Sequence, residues 1–335
     1  GARNGVLIKG GKYVEQLGRI TVVALDKTGT ITRGEPDVTD VVLLPDAQAH
    51  GVSQADFLAA AAALERRSQH PLALAVLRHA EAQGIAPADV TNFRSLTGAG
   101  VTAQLNGATL YAGSPDLFVS QLGHSLDGAT TEISRLQSQG KTVVVVGDQD
   151  APWGLIAIRD TIRANARQAI QKLHAAGVRV VMLTGDNERT AQAIASEVGV
   201  DDVYADLKPE DKVTRVRELA GRYGHVAMVG DGVNDAPALA EATVGIAMGA
   251  AGTDVALETA DVALMADDLE KLVYALRLAK RSQSVVRQNL ALSAVVIGVL
   301  VVGALLGTFT LPVAVLGHEI SEFVVIGSGL RMLRS

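Results

Sequence analysis

Short runs of consecutive apolar, largely β-branched residues, each ending on an acidic turn, organise the middle of this chain. Ile20-Thr21-Val22-Val23-Ala24-Leu25 runs into Asp26, Arg179-Val180-Val181-Met182-Leu183 into Thr184-Gly185-Asp186, and Val226-Ala227-Met228-Val229 into Gly230-Asp231-Gly232. Runs without polar alternation read as parallel strands buried on both faces. Between them apolar positions recur at helical spacing over 164–176 and 188–198, and each stretch closes on a glycine, Gly177 or Gly199. Alternating strands and helices predict an α/β fold built on a doubly wound parallel sheet. Sites in such sheets lie at the carboxyl ends of the strands. Asp26, Asp186 and Asp231 are therefore expected around one crevice, an arrangement suited to a cation and to phosphate chemistry.

The pattern changes between about Asp37 and Asp150, where Ala-rich helical stretches (55–64 and 72–83) mix with short strands such as 141–146. Pro36 and Pro152 bracket this region, as expected of two hinge strands leading into an inserted domain. Farther on, no side chain from Asn289 to Gly317 is charged. At about 1.5 Å per residue a single helix of that length would overshoot a hydrocarbon core of about 30 Å, and Gly307-Thr308-Phe309-Thr310-Leu311-Pro312 supplies a break. Two membrane helices are predicted, about 289–306 and 311–330. Lys280, Arg281 and Arg287 precede them and Arg331 and Arg334 follow, which puts both ends on the cytosolic side.

Composition agrees with this division. At 335 residues two or three units are expected, and a hydrophobic content of 48% accommodates a membrane stretch. A net charge of −6 without a basic stripe argues against nucleic acid as a partner, and the absence of cysteine excludes disulfides and zinc–thiolate sites. Gly1 to Lys9 lacks the apolar run of a signal peptide.

The candidate chemistry centres on Asp26-Lys27-Thr28-Gly29-Thr30. A carboxylate at a strand end can attack a phosphoryl group in line and form a covalent intermediate. The Asp26 and Asp231 carboxylates with the Thr28 carbonyl make a donor set for Mg²⁺. Thr184 and Lys212 can donate to phosphate oxygens, and a turn at Gly29 lets backbone N–H groups approach. Thr28 stands two residues beyond the nucleophile, where a second acid would speed hydrolysis of the acyl phosphate. With threonine there the phosphoenzyme is expected to persist, which favours an energy-storing cycle. A membrane-anchored haloacid-dehalogenase-type phosphatase and a catalytically inactive nucleotide-sensing module are the competing readings.

These residues resemble the phosphorylation signature of the P-type ATPases. Thr184-Gly185-Asp186-Asn187 and Gly230-Asp231-Gly232-Val233-Asn234-Asp235-Ala236-Pro237 are similar to the family's other two core motifs, in the same order. Lys208-Pro209-Glu210-Asp211-Lys212 is similar to the lysine-bearing segment between them. The resemblance implies a haloacid-dehalogenase-like sheet with an inserted α+β nucleotide-binding domain and a C-terminal pair of transmembrane helices. It also implies catalytic roles for Asp26, Lys27, Thr28, Thr184, Gly185, Asp186, Lys212 and Asn234, with ATP and Mg²⁺ as cofactors. Within the insertion, Glu65-Arg66-Arg67-Ser68-Gln69-His70-Pro71-Leu72 is similar to the His-Pro signature of the heavy-metal-transporting subgroup. That places Glu65 and His70 beside the adenine and lets backbone approach the nucleotide at Gly98 and Gly100. Taken alone, a Ser-x-His-Pro turn simply starts a helix with proline at its first position. His318-Glu319-Ile320-Ser321-Glu322 partly resembles the His-Glu-Gly-Gly-Thr pattern of cobalt/zinc/cadmium-type pumps. It nominates His318, Glu319 and Glu322 as ligands of a divalent transition-metal cation.

The organisation so implied has 1–19 as the cytosolic extension of an earlier membrane helix and 20–35 with 153–270 as a discontinuous phosphorylation domain. Residues 36–152 form the nucleotide-binding domain, 271–288 a stalk and 289–335 the membrane helix pair. No Thr-Gly-Glu segment of an actuator domain and no Cys-Pro or Ser-Pro-Cys helix occurs. The chain is thus expected to be the C-terminal part of a multi-pass pump in the cell membrane, with its catalytic domains in the cytosol. Its expected partners are an actuator domain and N-terminal membrane helices of the same pump.

Overall fold

The computed structural model describes residues 4–45, 47, 51–96, 98–232, 234–249, 258–265 and 268–331. Val233 of the third motif and Arg334 of the basic flank lie outside the described residues.

Among the described residues thirteen strands form two sheets. In chain order they are β1 (Val6–Ile8), β2 (Val22–Asp26), β3 (Thr32–Leu43), β4 (Thr91–Leu96), β5 (Gly100–Leu105), β6 (Ala108–Gly113) and β7 (Thr142–Asp148). There follow β8 (Pro152–Ile162), β9 (Arg179–Leu183), β10 (Asp202–Tyr204), β11 (Val226–Gly230), β12 (Val244–Ala247) and β13 (Val262–Leu264). The first sheet has the order β1-β13-β12-β11-β2-β9-β10 and is parallel except at its edge, where β1 pairs antiparallel with β13.

The unbroken apolar run of β2 has a direct cause: both of its faces are covered. Val23 and Leu25 join a layer that includes helices Gly11–Gly18, Ala166–Ala175, Glu188–Val198 and the start of Glu270–Leu305. Val22 and Ala24 meet helices Pro209–Tyr223 and Ala236–Glu241 on the other face. Each fully buried side chain such as Leu25 stabilises this sandwich by roughly 1.5–3 kcal/mol. The doubly wound sheet is as expected, and because β2 lies between β11 and β9, the three acidic turns emerge along one edge.

The second sheet is antiparallel, ordered β3-β8-β7-β6-β5-β4. Helices Gln54–Glu65 and Pro71–Ala82 cover one face through Phe57, Leu64 and Val76. Helix Thr130–Ser138 covers the other through Ile133 and Leu136, against Val143, Val145 and Leu155. Residues 32–35 and 153–162, expected in the phosphorylation domain, lie within β3 and β8, two strands that pair with each other in this second sheet. Pro36 does not interrupt the pairing because the register shifts between Thr32 and Pro36, and a bulge tolerates the missing N–H.

Two further features concern the ends. Residues 4–19, expected as an extension from a membrane helix, form β1 and helix Gly11–Gly18, with Val6 and Leu17 buried in the first sheet's core. The stalk and first membrane helix, expected as separate segments, are one helix, Glu270–Leu305, since neither glycine nor proline interrupts 270–297. Leu272, Leu276 and Ala279 are buried against the sheet, whereas Leu290 is 71% and Leu305 82% exposed. This helix is long and apolar enough to cross a membrane. After a turn at Gly307, helix Leu311–Leu330 folds back along it. Asn289 Nδ2 donates to the Val325 carbonyl at 3.3 Å, and Gly317 packs on Leu300.

Candidate active site

Asp26 ends β2 and is 5% exposed. Lys212, from helix Pro209–Tyr223, reaches across to it: Nζ donates to Asp26 Oδ1 at 2.6 Å and to Asp235 Oδ1 at 2.7 Å. Proline at the first helical position and the Asp211 carboxylate, which accepts from the Lys208 N–H at 2.9 Å, fix where that helix begins. Two buried carboxylates thus share one ammonium. Burial, then the Asp235 charge, pushes the Asp26 pKa up to about 7 against the pull of Lys212 and Lys27. Asp235 is raised by burial too, with Lys212 opposing. Burial disfavours the Lys212 ammonium, but the two carboxylates outweigh it and hold its pKa above the ordinary lysine value. The lysine stays charged, and the group as a whole is short of positive charge.

The turn after Asp26 is built for close approach. Gly29 adopts φ 74°, a left-handed conformation, and Asp231 lies against it, its Cβ 4.0 Å from where a Gly29 Cβ would stand. Thr28 is exposed beside Gly29. Asn234 holds Asp231 in place, donating its backbone N–H to Oδ1 and its Nδ2 to Oδ2, both at 3.0 Å. Gly230 leaves space for Asp235, whose Oδ2 would stand only 2.5 Å from a Cβ there.

At the neighbouring strand end, Lys27 Nζ donates to Asp186 Oδ2 at 2.6 Å, in a pair whose side chains are 10% and 13% exposed. Asp186 does not cap the following helix. Asn187 does, accepting from the Thr190 N–H at 3.0 Å, and this leaves Asp186 to the lysine. Thr184 is buried, with its Oγ1 accepting from the Asp186 N–H at 3.1 Å and its own proton left to donate. Gly185 is exposed at the bend. Asp26, Asp231, Lys212, Lys27, Thr184, Asp186 and Asn234 thus lie together along the sheet edge.

Three supporting residues were not singled out from the sequence. Arg163 donates Nε to the Thr30 carbonyl at 3.0 Å and a terminal nitrogen to the Gly29 carbonyl at 2.9 Å, clamping the turn. Asp160 accepts from Thr32 Oγ1 at 2.5 Å and from the backbone N–H groups of Gly34 and Glu35. Asp235 stood inside a quoted motif without a role. Arg163 and Asp160 lie more than a hundred positions from their partners, where no local pattern could flag them; for Asp235 the only signal was an acid at the start of a helix.

In the second sheet, Glu65 closes helix Gln54–Glu65 with no side-chain partner among the described residues, and burial pushes its pKa up to about 7. His70 caps helix Pro71–Ala82: its Nδ1 accepts from the Leu72 N–H at 3.2 Å, which leaves Nε2 free for other work. Desolvation and the Lys27 ammonium lower the His70 pKa, so the second sheet's His-Pro turn feels the charge next to the nucleophile. Gly98 has φ 73° and is exposed. Gly100 is demanded by the fold itself, since a Cβ there would stand 2.2 Å from the Ala112 carbonyl oxygen.

In helix Leu311–Leu330, His318 Nε2 lies 3.3 Å from Glu322 Oε1, one turn away. Glu319 takes no part in that pair. Among the described residues no three His, Cys, Asp or Glu side chains converge as a metal cluster.

A profile of haloacid dehalogenase-like hydrolases matches residues 20–243. A cadmium-transporting ATPase of Staphylococcus aureus is 45% identical over 341 residues, which cover 99% of this chain and 46% of the relative. A zinc/cadmium/lead-transporting P-type ATPase of Escherichia coli (strain K12) is 45% identical over 99% of this chain and 44% of its own length. The crystal structure of a zinc-transporting PIB-type ATPase in the E2.Pi state superposes with a TM-score of 0.72 at 44% identity, covering 99% of this chain and 53% of that one. The chain spans about half the length of the curated relatives it matches.

Proposed function

Because this chain belongs to the haloacid dehalogenase-like hydrolases, in their P-type ATPase branch, we propose that Asp26 accepts the γ-phosphoryl group of ATP as an aspartyl-phosphate. In that step an Asp26 carboxylate oxygen bonds to phosphorus, the bond to the bridging oxygen breaks and ADP leaves. The observation that carries the reading is the Lys212 ammonium held between Asp26 and Asp235 at 2.6 and 2.7 Å. A charged donor beside a buried carboxylate can both orient the nucleophile and stabilise charge on the transferred group.

The first sheet acts as the phosphorylation domain and the second as the nucleotide-binding domain, with Glu65 and His70 facing the adenine. Asp26 and Asp231 fit Mg²⁺, which takes one or two carboxylates together with phosphate oxygens and water, and the shortage of positive charge at the site agrees with that donor set. Bound there, Mg²⁺ would supply charge neutralisation to the phosphates. Residues 289–330 are read as a membrane hairpin with the sheets on the cytosolic side, flanked by Lys280, Arg281, Arg287 and Arg331. We read the energy of the cycle as driving a divalent heavy-metal cation of the cobalt/zinc/cadmium type across the cell membrane. His318, Glu319 and Glu322 contribute to its path, and an actuator domain and further membrane helices complete the pump. The His318–Glu322 pair in an otherwise apolar helix supports this, because ionisable groups at such depth are costly without a task or a partner.

Asp26→Asn tests the nucleophile. The variant keeps the side chain's size and lacks the attacking anionic oxygen. It is expected to bind Mg-ATP and to form no acid-stable phosphoenzyme from labelled ATP; undiminished labelling would remove Asp26 from the mechanism.

A further inference from the structure

At the end of the first sheet opposite Asp26, a cavity of roughly 570 Å³ opens between the sheet and helix Glu270–Leu305. Arg19 and His225, which precede β2 and β11, form one wall, and Lys280, Gln283, Ser284 and Arg287 form the other. Among the described residues no acidic one lines it. We propose that this cavity binds the phosphate headgroup of an anionic phospholipid.

Charge, availability and depth support the assignment. Arg19, Lys280 and Arg287 bring three cations, and among the described residues only Arg19 has a carboxylate partner, Glu15. Lys280 Nζ donates to the Ala176 carbonyl at 2.7 Å, a neutral acceptor that leaves its charge uncompensated. Among the described residues the side chains of Arg287 and His225 have no partner. Volumes of about 300–1,000 Å³ are ordinary for small-ligand sites. The wall is built rather than incidental: the Gln283 side chain packs 2.5 Å from where a Gly18 Cβ would stand, and its Nε2 donates to the Glu15 carbonyl.

Depth selects the lipid over a soluble anion, and here the proposal rests on the reading of 289–330 as a membrane hairpin. At about 1.5 Å per residue, Arg287 lies about 3 Å, Ser284 about 7 Å and Lys280 about 13 Å below the onset of the apolar run. The headgroup layer is about 5–8 Å thick on each side. Arg287 and Ser284 therefore stand at headgroup level, whereas Lys280 lies about 5 Å or more beyond that layer and contributes through its uncompensated charge.

The test uses the chain in neutral detergent with phosphatidylglycerol or phosphatidylcholine of matched acyl chains, counting retained lipid by native mass spectrometry. Preferential retention of phosphatidylglycerol is expected. Lys280→Gln with Arg287→Gln should reduce it by about fivefold per cation removed, while Arg135→Gln, far from the cavity, leaves it unchanged. All variants should keep the parental melting temperature. Retention of phosphatidylglycerol undiminished in the double variant would overturn the site in favour of a hydrated basic rim. Inorganic phosphate displacing the lipid at equal concentration would overturn it in favour of a soluble anion. Failure of the parent to enter phosphatidylcholine vesicles is a separate result: it would remove the membrane reading, and the lipid site with it.

Discussion

Replacing Lys212 with methionine removes the ammonium and keeps most of the side chain's bulk. Two charge-assisted hydrogen bonds, at 2.6 and 2.7 Å, disappear together, and each such bond contributes about 1.5–3 kcal/mol. Removing one partner of a buried ion pair costs about 3–5 kcal/mol, because the remaining charge is stranded. Asp26 has a cheaper way out. Its pKa already stands at about 7 through burial and Asp235, and losing Lys212 drives it higher, so near neutrality the carboxyl takes up a proton. A protonated carboxyl is no nucleophile, and each unit of upward shift cuts the reactive fraction about tenfold at a fixed pH above the original pKa but below the new one. Adding the loss of one preorganised donor, worth about 10²–10³ in rate, phosphoenzyme formation should fall by about a thousandfold at pH 7.5. It should recover partly towards pH 9. Quenched-flow labelling from ATP across pH 6–9 measures both. Lys212→Arg, which keeps the charge, should lose far less, and ATP binding by the second sheet should not change. Labelling within threefold of the parent with an unshifted pH profile would refute the idea that Lys212 holds Asp26 reactive.

Two further outcomes follow from supporting contacts. The folded-state pKa of Glu65, about 7, lies above its ordinary 4.5, so the folded protein keeps a proton that the unfolded chain releases. Its stability is full below pH 4.5 and lost as pH rises towards 7, by about 3.5 kcal/mol at most at about 1.4 kcal/mol per unit. Glu65→Gln should therefore melt with the parent at pH 5 and above it at pH 8, as thermal denaturation would record; parallel curves would contradict the burial argument. Arg163→Met, which strips both carbonyls of the Gly29-Thr30 turn of their donor, should destabilise by about 2–4 kcal/mol and slow labelling of Asp26 without changing ATP affinity. Arg163→Lys should restore part of the rate, and if it restores none the two-point clamp, rather than the charge, is what the turn needs.

Much of this architecture was legible because its elements advertise themselves locally. A strand covered on both faces must be apolar throughout, and β2, β9 and β11 each read that way up to their acidic turns. Gly199, at φ 83°, closes its helix for the reason the pattern implied. Short edges gave no such signal: β1 and β13 are three residues each and are fixed by the strands they pair with, β1 by β13 and β13 by both β1 and β12. The junction at 288 was drawn where composition turns apolar, but helix propensity does not change there, so stalk and span are continuous. At the active site, Asp26, Lys212 and Asp231 could be named from motif and strand position. That Asp235 shares Lys212, or that Asp186 is taken up by Lys27, depends on side chains meeting from four separate segments of the chain.

Those pairings give the site its logic. Lys27 is committed to Asp186, and Lys212 is divided between Asp26 and Asp235. Asn234 orients Asp231 by two neutral donors. In the proposed reaction an incoming polyphosphate adds negative charge beside two carboxylates that share one ammonium, and at such separations that repulsion is several kcal/mol unless it is compensated. On the proposed reading Asp26 and Asp231 favour a phosphoryl donor that arrives with its own cation over free phosphate or uncomplexed nucleotide. Were an acyl phosphate to form on Asp26, Thr28 would offer no carboxylate to activate water against it. In that proposed cycle the residues that make the nucleophile reactive are separate from any that would discharge it, and the bond energy would be retained.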